Sequence, residues 1–131
     1  MERKHDADRV STGDHAQMRR EQSAQQRLLA AGAEDLDAPA WRPAPLPPSA
    51  VDLVQFAVWR AGDLDNEDLL SALALMPAAR AEIEGVETGL LFTARGAGLT
   101  WAQIAEAMGF RSPQACQQHF NRLTARRTEQ P

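Results

Sequence analysis

The sequence predicts an all-α protein whose last third is a helix-turn-helix, and three observations support that prediction. Much of the hydrophobic fraction is alanine, a strong helix former. The β-branched residues never alternate with polar residues over the length of a strand, so no sheet is expected. From residue 49 onwards, apolar residues recur at helical spacing between helix start and stop signals. We therefore expect a trihelical helix-turn-helix domain, preceded by two further helices and by a disordered or partly helical N-terminal arm.

The length and composition suit one compact domain with tails. The chain has 131 residues, of which 44% are hydrophobic, and it contains no tyrosine. Its single cysteine excludes an internal disulfide. No stretch approaches the roughly 20 apolar residues that span a bilayer, and the first residues lack the apolar segment of a secretory signal. We expect a cytoplasmic protein with no membrane partner.

Residues 1–48 are predicted to be a flexible N-terminal arm followed by a proline-rich linker. Residues 1–13 are charged and polar, which is typical of disorder. Residues 14–32 have high helix propensity, a capping aspartate and a glycine stop, but only a thin apolar face. This segment is either a marginal, fraying helix or an arm that becomes ordered on binding DNA or a second subunit. Residues 33–48 contain five prolines, which favour extended backbone.

Residues 49–131 are predicted to form a helical DNA-binding domain. Three helices lead into its C-terminal motif, and their start signals are Ser49, Asp65 or Asn66, and Pro77. The helix from Pro77 to residue 95 should complete a trihelical unit with the two motif helices. It is expected to bury Val86, Leu90 and Leu91. Their expected partners in the motif are Ile104, Met108, Phe120 and Leu123.

The helix-turn-helix itself spans residues 100–127. Thr100 is a good N-cap for a first helix, whose apolar face is Trp101, Ile104, Ala105 and Met108. Gly109 supplies the left-handed conformation that ends this helix. A Ser-Pro pair at 112–113 then starts a second helix, whose inward stripe is Cys116, Phe120 and Leu123. Because Ala105 is small, the two helices can cross closely at a steep angle.

Two runs of this motif resemble known proteins, residues 99–109 (LTWAQIAEAMG) and residues 112–115 (SPQA). They resemble the helix-turn-helix of small bacterial DNA-binding proteins. They are similar to the promoter-reading C-terminal domain of sigma factors and to short regulators of high-GC bacteria. The resemblance implies a small transcriptional regulator or nucleoid-associated factor. The turn is one residue longer than the commonest form, which shifts the register of the base-reading positions.

The outward face of the second helix carries the candidate base-reading residues. With the apolar stripe turned inward, helical geometry points a polar ridge outward. Its members and flanking residues are Gln114, Ala115, Gln117, Gln118, Asn121 and Arg122. Gln and Asn can pair with adenine, Arg with guanine, and Ala can contact a thymine methyl group. No acidic residue lies between Arg111 and Arg127, which favours double-stranded DNA over the alternative of a merely solvated face.

A second set of residues is predicted to contact phosphates and so to fix the position of the helix without reading sequence. The set comprises Thr100, Gln103, Arg111, Ser112, Arg126 and Arg127. Charge supports this end of the chain as the DNA side, because residues 95–131 hold five arginines against two glutamates. That excess is small, so one copy should bind weakly and in a salt-sensitive way. We therefore expect a homodimer that reads two half-sites, with the helix of residues 49–62 as its contact.

A protein–protein interaction module is the second hypothesis. Residues 33–94 hold three Lys/Arg against eleven Asp/Glu, and the acidic helices of residues 49–76 have a surplus of apolar side chains. That face suits a transcription or structural partner. The two functions can coexist, with DNA bound on one face and protein on another.

No pattern predicts an enzyme, a metal site or a cofactor. The spacing Cys116-x-x-His119 supplies only two ligands, and the other histidines lie in the N-terminal arm. Cys116 is therefore expected to be a small core residue. Glu82, Glu84 and Glu87 are interpreted as a solvated helix face. Nucleophile–base pairs and phosphate-cradling loops are not found.

Overall fold

The computed structural model describes the backbone of residues 2–129 and the side chains of residues 12–126. Within that range the protein is all-α, as predicted, and no strand occurs. The helices are α1 (Glu2–Ala30), α2 (Ala50–Trp59), α3 (Asn66–Ala74), α4 (Met76–Gly96), α5 (Trp101–Met108) and α6 (Pro113–Glu129). The chain divides into two compact units, Met1–Arg80 and Ala81–Pro131. None of the described helices combines the length and the apolar character needed to cross a membrane.

The first unit is built around α1, α2 and α3. Its buried residues are Ala24, Leu28, Ala33, Leu53, Phe56, Ala57, Ala72 and Leu75. The structure therefore differs from the predicted flexible arm, because α1 begins at Glu2 and its C-terminal turns belong to this core. Ala24 and Leu28 lie one turn apart on the same face of the helix. A thin apolar face is enough here, because tertiary packing rather than propensity stabilises the helix.

Charged side chains tie α1 to the start of α3. Arg27 donates to Asp68 at 2.7 Å and to Asp65 at 3.2 Å. Asp65 and Asp68 form a reciprocal capping box, in which each carboxylate accepts from the other residue's backbone N–H. The Asp68 backbone N–H lowers the pKa of Asp65, and the Arg27 guanidinium lowers it further. The predicted start at Asp65 thus has a second role in holding α1.

The predicted linker is also packed against the first unit. Ala33 is fully buried in a short 3-10 turn, and Arg42 pairs with Asp52 of α2 at 2.9 Å. Gly32 has φ +131°, a conformation that favours glycine, and a Cβ there would lie 3.4 Å from the Phe56 ring. The predicted linker is therefore held at its start by Ala33 and near its middle by Arg42.

The second unit contains most of α4, from Ala81 onwards, with α5 and α6. Its buried residues are Leu91, Ile104, Ala105, Cys116 and Leu123. The predicted packing of Val86, Leu90 and Met108 is wrong, because their exposed fractions are 64%, 67% and 41%. Helix α4 instead turns Leu91 and Thr88 inward. On that same side of α4, Glu87 and Glu84 pair with His119 and Arg126 of α6. The sequence predicts that Val86 and Leu90 face α6 instead.

Candidate nucleic-acid interface

The turn between α5 and α6 is set by local hydrogen bonds. Thr100 caps α5 in a reciprocal box with Gln103. Gly109 ends that helix with φ +81°, and the Phe110 N–H donates to the Ala105 carbonyl at 2.9 Å. This is the hydrogen bond of a Schellman motif. The Ser112 hydroxyl then accepts from the backbone N–H three residues later at 3.1 Å and starts α6.

The crossing of α5 and α6 depends on small buried residues and on one aromatic cluster. Ala105 is 2% exposed and Cys116 is fully buried, so both lie at the contact of the two helices. The Phe120 ring of α6 lies 5.1 Å from Phe92 in an edge-on arrangement and 5.5 Å from Trp101. Edge-on aromatic pairs stabilise beyond their buried area. The outward face of α6 is therefore carried on a packed scaffold.

Two carboxylates of α4 hold α6 from the side, which the sequence interpretation missed. His119 Nε2 lies 2.9 Å and 3.1 Å from the two carboxylate oxygens of Glu87. Arg126 donates to Glu84 at 2.9 Å. The signal in the sequence was their position, because Glu87 and Glu84 precede the buried Leu91 by one and two helical turns and so share its face.

The predicted base-reading residues lie together on one side of α6. Gln114, Gln117, Gln118, Asn121 and Arg122 are all exposed, and Ala115 is half-buried. Among the described residues, none of these five exposed side chains has a hydrogen-bonding or ion-pairing partner. Their donors and acceptors are therefore available to an external ligand.

This geometry is that of a helix-turn-helix with an open polar ridge. Residues 87–131 match the family model of the Myb-like DNA-binding domain. The matched segment is about a third of the chain, and it includes α4 from Glu87 onwards with all of α5 and α6. No curated protein and no solved structure matches the chain. The match supports a DNA-binding role of helix-turn-helix type, and the sigma-factor resemblance stays a prediction.

The residues predicted to contact phosphate differ in whether their polar groups are already bonded within the Myb-like domain. Arg111 is exposed and has no ion-pair partner among residues 12–126. Thr100 and Gln103 are bonded to each other, although the amide NH2 of Gln103 stays free to donate. Ser112 is occupied as a cap. Arg126 is held by Glu84. The predicted contact at Arg127 falls outside the described side chains.

The buried cysteine of the Myb-like domain has a structural role. Burial raises the pKa of the Cys116 thiol, and the nearby charge of Glu87 raises it further. His119, the second residue of the Cys116-x-x-His119 pair, contacts Glu87. Within the described part of the chain, no group of three or more His, Cys, Asp or Glu side chains is arranged to hold a metal ion.

Proposed function

We propose that this protein is a sequence-preferring double-stranded DNA-binding protein that inserts α6 into the major groove. The observation that carries the proposal is the acid-free ridge of α6, whose amide and guanidinium groups have no partner among the side chains that the structure describes. Amide side chains match adenine and Arg122 matches guanine in that groove. The ridge belongs to the segment that matches a Myb-like DNA-binding domain.

Phosphate contacts would fix the position of α6 along the groove. Arg111 lies beside the N-terminus of α6, where free backbone N–H groups and the helix dipole also favour an anion. We assign further phosphate contacts to Thr100, Gln103, Ser112, Arg126 and Arg127. These contacts give affinity and register, and the ridge gives sequence preference.

We propose that the biological role is that of a small bacterial transcriptional regulator or nucleoid-associated factor in the cytoplasm, with no catalytic activity. One feature of that role, binding as two copies, is supported by the small number of free cations. The unit Ala81–Pro131 holds five arginines and five glutamates, so its electrostatic attraction to DNA is modest. Two copies that read two half-sites would double the phosphate contacts of one motif. We therefore propose a homodimer on DNA.

A protein partner is the alternative function, and one observation favours it. Val58 of α2 and Leu73 of α3 are 80% and 64% exposed on the acidic first unit. Exposed apolar side chains that form one continuous patch mark protein interfaces. A transcription or structural protein that binds there would leave the α6 ridge free.

The test is a double substitution on the ridge, Gln118→Ala with Arg122→Ala. A duplex is first selected from a random pool with the wild-type chain. Each good base contact contributes about 1–3 kcal/mol, so the variant should bind that duplex at least about tenfold more weakly. The matched control is Arg19→Ala with Gln22→Ala, which removes the same two residue types from exposed positions of α1. Equal affinities of wild type and ridge variant would overturn base reading by α6.

A further inference from the structure

The first unit carries an apolar groove between α2 and α3 that no described residue fills. The groove has a volume of about 370 Å³. Its floor is formed by two small buried residues, Ala57 and Ala72, and its walls include Val58, Leu69 and Leu73. The exposed Ala61 lies at one end of it. Every residue that lines it is apolar. A floor of small side chains flanked by larger ones is the shape into which a helix packs its own side chains.

The walls of this groove are open to solvent. Val58 is 80% exposed, Leu73 is 64% exposed and Leu69 is 37% exposed. Single exposed apolar residues are ordinary, but a continuous apolar groove on a monomer indicates a surface that is covered in the functional state.

We propose that the groove is the homodimer interface, in which a second copy of this chain packs α2 and α3 antiparallel against it. The face is self-complementary because it carries both a protruding side chain, Leu73, and the alanine floor that such a side chain can cover. In a two-fold arrangement, Leu73 of each copy lies over the alanine floor of the other, and Val58 flanks it. Such an isologous contact closes on itself and produces a dimer rather than a filament.

Charge at the two ends of the groove favours the antiparallel arrangement. The end at Ala61 is followed by four acidic residues, Asp63, Asp65, Glu67 and Asp68. Two arginines oppose them, Arg60 at 3.3 Å from Asp63 and Arg27 of α1 at 3.2 Å from Asp65 and 2.7 Å from Asp68, so an acidic excess remains at this end. At the end formed by Met76, the exposed Arg80 follows one turn later and has no ion-pair partner in residues 12–126. A two-fold axis across the groove brings Arg80 of one copy towards the acidic end of the other. The opposite charges thus favour a second copy as the occupant of the groove.

This inference deepens the proposed DNA-binding function. The interface itself is argued from the first unit, and only its biological purpose, to bring two DNA-binding motifs together, rests on that proposed function. Two copies joined through their first units carry two Myb-like domains. The groove is small beside the roughly 800 Å² per partner that a standard interface buries, so we expect dissociation in the micromolar range.

The experiment measures the mass of the full chain in solution by sedimentation equilibrium, from about 1 to 100 µM. Wild type should pass from monomer to dimer over that range. Leu73→Lys, and independently Val58→Lys, should remain monomeric, because each places a charge against the alanine floor. Both residues are mostly exposed, so the fold should be retained, as helical circular dichroism will show. The matched control is Leu70→Lys on the same helix, 58% exposed but outside the groove, which should still dimerise.

A charge-reversal pair tests the arrangement of the two copies. Arg80→Glu should weaken the dimer, and Asp63→Lys added to it should restore the association if the ends meet as described. A wild-type chain that is monomeric at 100 µM overturns the interface. So does dissociation by Leu90→Lys on α4 with none by Leu73→Lys.

DNA binding is scored separately so that the two proposals can fail independently. The probe is a duplex of about 12 base pairs, roughly one helical turn, which has room for one motif only. Wild type and Leu73→Lys should bind it equally at low salt, because the Myb-like domain is unchanged. Failure of both to bind it counts against the DNA-binding function, whereas the interface is decided by the measured mass.

Discussion

At the scale of single residues, Gly109 is the position where the helix-turn-helix depends most on one amino acid. Its φ of +81° lies in the left-handed region, where a Cβ is unfavourable. We predict that Gly109→Ala lowers the free energy of unfolding by about 1 kcal/mol. Urea denaturation of the full chain, followed through tryptophan fluorescence, measures this change.

The matched control for that substitution is Gly89→Ala in the same unit. Gly89 lies within α4 with an ordinary helical conformation, and apart from its neighbours and the backbone of its own helix nothing lies within 4 Å of the place where its Cβ would stand. There the substitution should raise stability by about 0.5–1 kcal/mol, because alanine favours a helix. If both substitutions changed the free energy of unfolding equally and with the same sign, the left-handed conformation of Gly109 would not be the cause of the change.

Residue-level signals explain why parts of the interface could be read from the sequence. Thr100, Gly109 and Ser112 act through hydrogen bonds within a few residues of themselves, so their pattern is visible in the chain. Glu84 and Glu87 act on residues more than 30 positions away. The spacing of residues within one helix cannot predict a pairing with a distant helix, and an acidic helix face is usually solvated. The sequence therefore predicts a solvated face for Glu84 and Glu87, and that prediction is wrong.

At the scale of helices, α4 decides how α6 is presented. Its more apolar stripe of Ile83, Val86 and Leu90 faces outward, and its less apolar face packs inward. A sequence pattern ranks faces by hydrophobicity alone. Here an ion pair and a histidine–carboxylate contact compensate for the polar character of the buried side. The rotation of a helix about its axis is therefore harder to predict than its ends.

The pairing of Glu84 with Arg126 leads to a prediction about DNA affinity. The carboxylate holds a guanidinium that we assign to a phosphate, so DNA must compete with it. Glu84→Gln should therefore raise affinity for duplex DNA by roughly 1.5- to 5-fold, the range that corresponds to a surface ion pair. The slope of log K against log salt should become steeper by about one. Fluorescence anisotropy over a salt series measures both quantities.

The control is Glu106→Gln, which removes one charge from the exposed face of α5 without releasing an arginine. It should change affinity through the long-range field alone and leave the salt slope unaltered. A Glu84→Gln variant that behaves like this control would mean that Arg126 makes no phosphate contact.

At the scale of the whole molecule, the N-terminal third shows the limit of composition as evidence. Residues 1–32 have the polar character of an arm, yet α1 packs through Ala24 and Leu28 and is fixed by Arg27 to α3. Alanine contributes little apolar area, so a face built on it is inconspicuous in sequence. Its small size is nevertheless what permits close helix packing. The all-α class was predictable because it depends on composition, whereas the division at Arg80 depends on which contacts form.

The distribution of charge over the molecule allows a quantitative prediction for DNA binding. The net charge is −4, and Arg126 is paired with Glu84, which leaves Arg111, Arg122 and Arg127 as the cations that we expect to release counterions in the wild-type chain. Neutralising about three phosphates gives a slope of log K against log salt near −3 for one copy, and about twice that for a dimer on two half-sites. Anisotropy with short and long duplexes distinguishes the two.

A slope near zero would contradict an electrostatic contact. A slope much steeper than that of the dimer would show that cations outside the Myb-like domain, such as those of residues 1–32, also bind phosphate. The exposed acidic change Asp37→Asn is the control and should leave the slope as it is, because that residue lies in the first unit, far along the chain from α6.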